Sequence, residues 1–327
     1  MRLPPPDFVV VGAPKCGTTG LYKTLEQHPE LFLSQIKEPH FFAHDLPRRR
    51  EVEKLEDYDR LFARAEVNQL RGESSAHYLT SRVAIGEILR RRPDAKFIAL
   101  VRNPIDMFVS WHNECFKALD EDEPDPGKAW MLQPQRAQGL RIPRLCKEPA
   151  FLQYQKMCSL GIQIQSLFQL VPDGQRLLLV FDDLQERPRL AYEQIVGFLG
   201  VKDGGTERFL RENTFARSKN ALVARVIRFA HLNSGVKTLR IRLKPMLNRH
   251  GIRPIGWLLR HNLKDVPKPA VSRELRSLLE TAFAPDVELL GRLLRRDLAE
   301  QWSIGDCVTQ VAKRSWASVS RAAVPSK

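Results

Sequence analysis

The chain has 327 residues, of which 43% are hydrophobic and 28% charged. That balance fits a globular protein and excludes a collagen-like or strongly charged disordered chain. Lys and Arg number 52 against 38 Asp and Glu, a net charge of +14, which disfavours a cationic partner and favours an acidic ligand, an anionic polymer or a membrane surface. The five cysteines (Cys16, Cys115, Cys146, Cys158 and Cys307) are scattered and never form Cys-x-x-Cys. This argues against a zinc site or a disulfide framework and points to a reducing, cytoplasmic setting. The apolar run near the N-terminus is too short for a signal-peptide core, and no stretch approaches the ~18 apolar residues of a membrane span.

In chain order, "DFVVVG" reads as a buried parallel strand, a β-branched apolar run stopped by glycine. Residues 17–28 read as a helix with Leu21 and Leu25 on one face. "HPELFLSQIKEPHFFA" is a loop or short strand punctuated by Pro29 and Pro39. Residues 47–70 are charged and predict a helix, and "RGESSAHYLTS" predicts a polar loop around a short strand. "RVAIGEILRRRPDA" is a helix ended by Pro93. "KFIALVRNP" is a second buried strand, with a helix starting near Pro104. Residues 119–150 are rich in proline and charge and read as a long surface insertion. A helix over 151–170 precedes a further strand, "RLLLVFDDL", and "RPRLAYEQIVGFLGV" is a helix ended by Gly200. The alternation predicts an α/β fold with a central, mostly parallel sheet flanked by helices. Residues 1–302 form one domain in this reading. The tail over 303–327 is expected to be flexible.

Residues 213–264 carry 12 Lys and Arg and no Asp or Glu. They read as a surface that gathers an anionic acceptor, as a basic segment lying on anionic lipid, or as a solvated helix pair. No nucleic-acid recognition motif accompanies the charge.

"VVVGAPKCGTTGLY" has the outline of a phosphate loop: strand, glycine turn, helix start. A triphosphate loop places Lys-Ser/Thr directly after its second glycine. Here Gly17 is followed by Thr18 and Thr19, and the lysine, Lys15, precedes it. The pattern suits a single 5′-phosphate or mixed anhydride without metal. A magnesium-dependent kinase or NTPase of P-loop type is the alternative. Arg102, at the end of the second strand, and Ser110, two helical turns on, are placed to grip a second phosphate.

Together these motifs resemble the sulfotransferase superfamily, which uses 3′-phosphoadenosine 5′-phosphosulfate (PAPS) as donor and releases adenosine 3′,5′-bisphosphate. "GAPKCGTTGLY" is similar to its 5′-phosphosulfate loop and "LVRNPIDMFVSWHNE" to its 3′-phosphate motif. "KEPHFFA" and "GESSAHYL" resemble segments of the glycan enzymes of the heparan sulfate 3-O type. The resemblance implies a P-loop-like three-layer fold and a donor site with no metal. It implies that Lys15 contacts the sulfuryl group. Cys16, Gly17, Thr18 and Thr19 would hold the 5′-phosphate, and Arg102 and Ser110 the 3′-phosphate. Arg217, Ser218 and Lys219 would stand in for the glycan enzymes' C-terminal nucleotide loop. Glu38 falls at the catalytic base and His40 beside it. The acceptor implied is a hydroxyl on a carbohydrate or lipid-linked molecule, with peripheral membrane contact through 213–264. Glu73 and Ser75 are expected to face the acceptor. His77 and His112 are alternative bases, and a non-catalytic polyanion- or membrane-binding protein is a further reading. The glycan enzymes carry a lysine where this chain has Ser74.

Overall fold

A computed structural model describes residues 5–204, 216–220 and 263–304. Its centre is a five-stranded parallel sheet: β1 (Phe8–Gly12), β2 (Leu31–Leu33), β3 (Leu70–Ser74), β4 (Lys96–Val101) and β5 (Arg176–Val180), in the order β2-β3-β1-β4-β5. β1 is buried along its whole length, as its unbroken apolar sequence requires of a strand covered on both faces. The sheet is flanked by helices, as expected for an α/β chain.

The helices that frame the site follow the strands. They are α1 (Thr18–Leu25), α2 (Leu55–Arg60), α3 (Ala84–Arg91) and α4 (Pro104–Lys117). Pro104 supplies the first turn of α4, and the Asn103 side chain accepts a hydrogen bond from the Ile105 amide. Next come α5 (Pro126–Met131), α6 (Gln133–Ala137), α7 (Tyr154–Cys158), α8 (Leu160–Leu170), α9 (Phe181–Glu186) and α10 (Pro188–Leu199). The described chain closes with β6 (Ala216–Ser218), β7 (Leu263–Asp265), α11 (Arg273–Leu294) and α12 (Leu298–Gln301). No helix among the described residues is long and apolar enough to cross a membrane.

Three expectations are corrected. Over 47–70 only α2 is helical. Residues 49 and 50 are drawn into tertiary contacts instead: Arg49 pairs with Asp120 at 3.1 Å, and Arg50 donates to the Phe41 carbonyl at 3.0 Å. Over 151–170 the helix is broken at Gln153 and Ser159. Ser159 does not cap α8 with its side chain. The carboxylate of Asp286, on α11, instead accepts the Gly161 and Ile162 amides at 2.7 and 3.0 Å. α11 comes so close that a Cβ at Gly161 would lie 2.3 Å from the Asp286 carbonyl oxygen.

Residues 119–150 are more than a surface insertion. Glu121 and Arg136 form a fully buried ion pair with two contacts of 2.6 Å, and Tyr154 donates to the same carboxylate at 2.5 Å. Burial opposes ionisation of Glu121, but Arg136 and Tyr154 outweigh it and hold its pKa below the ordinary carboxylate range. Arg136→Ala strands that carboxylate and is expected to cost about 3–5 kcal/mol of stability, read from urea denaturation.

Candidate active site

The turn between β1 and α1 is fixed from both sides. The Ala13 amide donates to the Leu100 carbonyl of β4 at 2.8 Å. Gly17 turns the chain at φ 92° as the N-cap of α1, and a Cβ there would lie 3.0 Å from the Phe181 ring. No side chain caps α1, so its first amides are free of a side-chain cap at the positive end of the helix dipole. Thr18 is buried and Thr19 half-buried beside them.

Lys15 sits in the turn, with its ammonium 3.1 Å from the Glu114 carboxylate on α4. Burial alone would raise the Glu114 pKa, but Lys15 and Lys117 lower it from 4.5 to about 2. Ionised Glu114 therefore contributes stability above its ordinary value of 4.5 and loses it as the pH falls towards 2. Glu114→Gln is expected to flatten the stability profile in that window, measured by urea denaturation at stepped pH.

Arg102 leaves the end of β4 and donates to the Lys15 carbonyl at 3.0 Å. Its guanidinium lies over the Phe181 ring, 4.5 Å from the centroid. On α4, Asp106, Ser110 and Glu114 follow at helical spacing on one face. Asp106 lies 4.0 Å from Arg102 and also pairs with Lys268, while Ser110 is half-buried. The glycine turn and the segment that begins at Arg102 thus meet in one place, joined by the Arg102–Lys15 hydrogen bond.

The second cluster extends from β3. The Glu38 amide donates to the Ser74 carbonyl at 2.9 Å, which lays residues 37–42 alongside that strand end. Glu38 and His40 both have left-handed backbone, at φ 61° and 49°. Non-glycine residues adopt that conformation only when their surroundings impose it. Ser75 Oγ accepts the His40 amide at 3.0 Å, and the Tyr78 hydroxyl accepts the Phe42 amide at 3.2 Å. Behind them lies the Glu73 carboxylate, fully buried. It accepts from Ser75 Oγ at 2.6 Å and from the Tyr58 hydroxyl at 2.5 Å. Burial pushes the Glu73 pKa up. Glu73 and Ser75 therefore do not face an acceptor; they hold the Glu38–His40 segment.

The Glu38 side chain is 37% exposed and pairs with Lys37 at 2.5 Å. Burial opposes its ionisation, but the Lys37 and Lys15 charges are among those that outweigh it and keep the carboxyl below its usual range. His40 is 3% exposed, and neither ring nitrogen has a partner among the described residues. Burial lowers its pKa to about 4, so the ring is neutral at physiological pH. The His77 ring lies 5.1 Å away, is buried, and stacks on Phe151 at 4.3 Å.

The sulfotransferase domain profile matches residues 5–234. The chain belongs to the sulfotransferase family. The family match disfavours the kinase or NTPase alternative. Two similar relatives are carbohydrate sulfotransferase 15 of Rattus norvegicus and heparan sulfate glucosamine 3-O-sulfotransferase 6 of Homo sapiens. The first is 39% identical over 25% of this chain and 17% of its own length. The second is 33% identical over 32% of this chain and 29% of its own. The chain thus matches less than a third of the length of either relative. In fold it is similar to a sulfotransferase of Alicyclobacillus acidocaldarius, with a TM-score of 0.64, 20% identity and coverage of 92% of this chain and 100% of that one.

In this member of the sulfotransferase family the remaining expected site residues fare differently. Cys16 is corrected: its amide donates to Ala13 at 3.3 Å, and its thiol, fully buried, contacts the Pro14 carbonyl at 3.5 Å. Burial pushes that thiol up to about 12, so it stays protonated, and both its S–H and its amide are engaged by carbonyls of the turn itself. Arg217 and Lys219 lie on or next to β6, which pairs antiparallel with β7 and lies against α4. Lys219 is exposed. The Arg217 side chain, nearly all of the basic segment and residues 305–327 lie outside the described residues. His112 bonds to the Glu123 carbonyl at 2.9 Å and is buried with α4, away from the role of an alternative base. Among the described residues, no cluster of three or more His, Cys, Asp or Glu is arranged to hold a metal.

Sequence reasoning assigned no role to Glu114 or Phe181. Glu114 had a legible signal, since it lies one turn beyond Ser110 on the face that starts at Arg102. Phe181 had none, because its contact with Gly17 and Arg102 exists only once β5 is paired with β4.

Proposed function

We propose that the protein transfers a sulfuryl group from PAPS to an acceptor hydroxyl on a carbohydrate or lipid-linked molecule. The observation that carries this reading is the Arg102–Lys15 hydrogen bond of 3.0 Å, which joins the phosphosulfate loop to the 3′-phosphate motif. The residues fit a donor with two separate anionic groups. The first amides of α1, with Thr18 and Thr19, would hold the 5′-phosphate, and Arg102 and Ser110 the 3′-phosphate. PAPS supplies the activated sulfuryl group.

Lys15 would neutralise charge on the bridging oxygen as the sulfur–oxygen bond to the 5′-phosphate breaks and the bond to the acceptor oxygen forms. Glu38, ionised at neutral pH, would take the acceptor proton. Neutral His40, with Ser75 holding its amide, would keep Glu38 in place. A cytoplasmic location and contact of 213–264 with anionic lipid belong to the same proposal. The carbohydrate class is supported by the names of the relatives, and the lipid-linked class by the basic segment.

Adenosine 3′,5′-bisphosphate at a hundredfold excess over its Kd is expected to raise Tm by roughly 5 °C without magnesium. ATP with magnesium is expected to leave Tm unchanged. The reverse pattern in thermal melts would establish the kinase alternative.

A further inference from the structure

The face of α4 that carries Ser110 also carries an acid one turn to either side, Asp106 and Glu114. Each acid is shared by two cations. Glu114 lies 3.1 Å from Lys15 and 2.7 Å from Lys117. Asp106 accepts from the Lys268 ammonium on Oδ1, and the Arg102 guanidinium stands 4.0 Å from Oδ2. Lys15 and Arg102 come from the two motifs read as the donor site. Lys268 comes from neither, yet it converges on the carboxylate that Arg102 faces.

The fold brings Lys268 there from 162 positions away in the chain. β6 lies against α4, β7 pairs with β6, and Lys268 follows just beyond the end of β7. It sits between Pro267 and Pro269. The ring of Pro267 fixes its own φ, and a residue that precedes a proline is held to extended backbone. Lys268 is therefore presented on a backbone with little freedom left to lose when the side chain takes a partner.

Stability is a weak reason for this arrangement. The two side chains are 43% and 44% exposed, and exposed ion pairs contribute little to folding. Asp106 needs no lysine to be favourable where it is, since an acid in the first turn of a helix already meets the positive end of the dipole. What the pair does achieve is to keep an ammonium close to the Arg102 guanidinium, with a carboxylate between them to offset their repulsion. A phosphate dianion attracts both cations more strongly than one carboxylate charge does. The flexible four-carbon stem of a lysine lets the ammonium turn from one anion to another.

We propose that Lys268 is a third residue for the 3′-phosphate of the donor, exchanging Asp106 for the phosphate when the nucleotide binds. The assignment rests on the PAPS reading above and adds to it a group that neither motif contains. Arg102 and Ser110 reach the phosphate from β4 and α4, and Lys268 reaches it from the β6–β7 side. Asp106 is the holder that keeps Lys268 beside Arg102 until then.

The probes are adenosine 3′,5′-bisphosphate and adenosine 5′-phosphate, which lacks only the 3′-phosphate, each titrated by calorimetry into the full chain. The wild type is expected to prefer the bisphosphate. Lys268→Gln should weaken the bisphosphate roughly tenfold, the size of one charge-assisted hydrogen bond, and leave the monophosphate within about twofold. Lys268→Arg should restore most of the preference. Arg64→Ala removes the same formal charge from an exposed turn after α2 and should change neither affinity. All variants should melt at the wild-type temperature without ligand, because the side chains changed face solvent. Asp106→Asn separates contact from masking. In that background Lys268→Gln should keep its full cost. A cost that vanishes there shows that Lys268 only screens Asp106, and overturns the proposal. So does equal weakening of both nucleotides, or weakening of neither. A wild type with no preference for the bisphosphate would overturn the PAPS reading itself, and the role of Lys268 with it.

Discussion

Lys15→Ala is expected to lower the rate of sulfate transfer on the order of 10²–10³-fold, the usual cost of removing one group that stabilises charge in a transition state. The loss has two sources. The variant lacks the ammonium that would meet the bridging oxygen. It also leaves the Glu114 carboxylate, now 3.1 Å from that ammonium, with Lys117 at 2.7 Å as its remaining partner and one positive charge fewer to offset it near a phosphate. The double variant Lys15→Ala/Glu114→Gln separates them. It is expected to recover binding of adenosine 3′,5′-bisphosphate, measured by calorimetry, while the rate stays low. If the single variant transfers sulfate at the wild-type rate from labelled donor, Lys15 has no role in the chemistry. The fold should tolerate the change, since the side chain is half-buried at the edge of its turn.

Glu38→Gln should lower kcat by about 10²–10⁴-fold with little change in bisphosphate affinity. The substitution keeps shape and removes the proton-accepting charge. Lys37 and Lys15 hold the wild-type carboxyl below its ordinary range, so it is ionised throughout neutral pH. The wild-type rate should therefore stay level as the pH falls from 7 and drop only below the usual carboxylate range. A large loss in His40→Asn with none in Glu38→Gln, measured in single-turnover assays, would transfer the role of base to His40.

The parts of the fold legible in the sequence are those written in one local pattern. "FVVV" and "FIALV" are apolar runs that only a strand covered on both faces accommodates, and both lie at the centre of the sheet. The glycine turn and Pro104 mark helix starts by chemistry internal to a few residues. Where the outcome depends on distant groups, the reading fails. Residues 47–54 have helical composition, but Asp120 and the Phe41 carbonyl draw Arg49 and Arg50 elsewhere. Glu121 and Arg136 look like surface charge until the fold brings them together.

The candidate site divides in the same way. Lys15, Gly17 and Arg102 stand out in the sequence because their motifs are short, and the structure brings these three together. Cys16 was misassigned because the sequence shows its neighbours but not the inward direction of its side chain. Glu73 was misassigned because only the assembled structure shows Tyr58, 15 residues earlier, donating to its carboxylate.

The cap on α8 has a consequence for synthesis. The carboxylate that satisfies the Gly161 amide belongs to a residue 125 positions later. On the ribosome the sheet strands and the glycine turn are complete well before that acid exists. Until Asp286 emerges, the start of α8 depends on water for its free amides. Helix α11 therefore works as a late-arriving clasp, and a chain truncated before it would be made with every motif of the transfer site and yet with that corner unsealed.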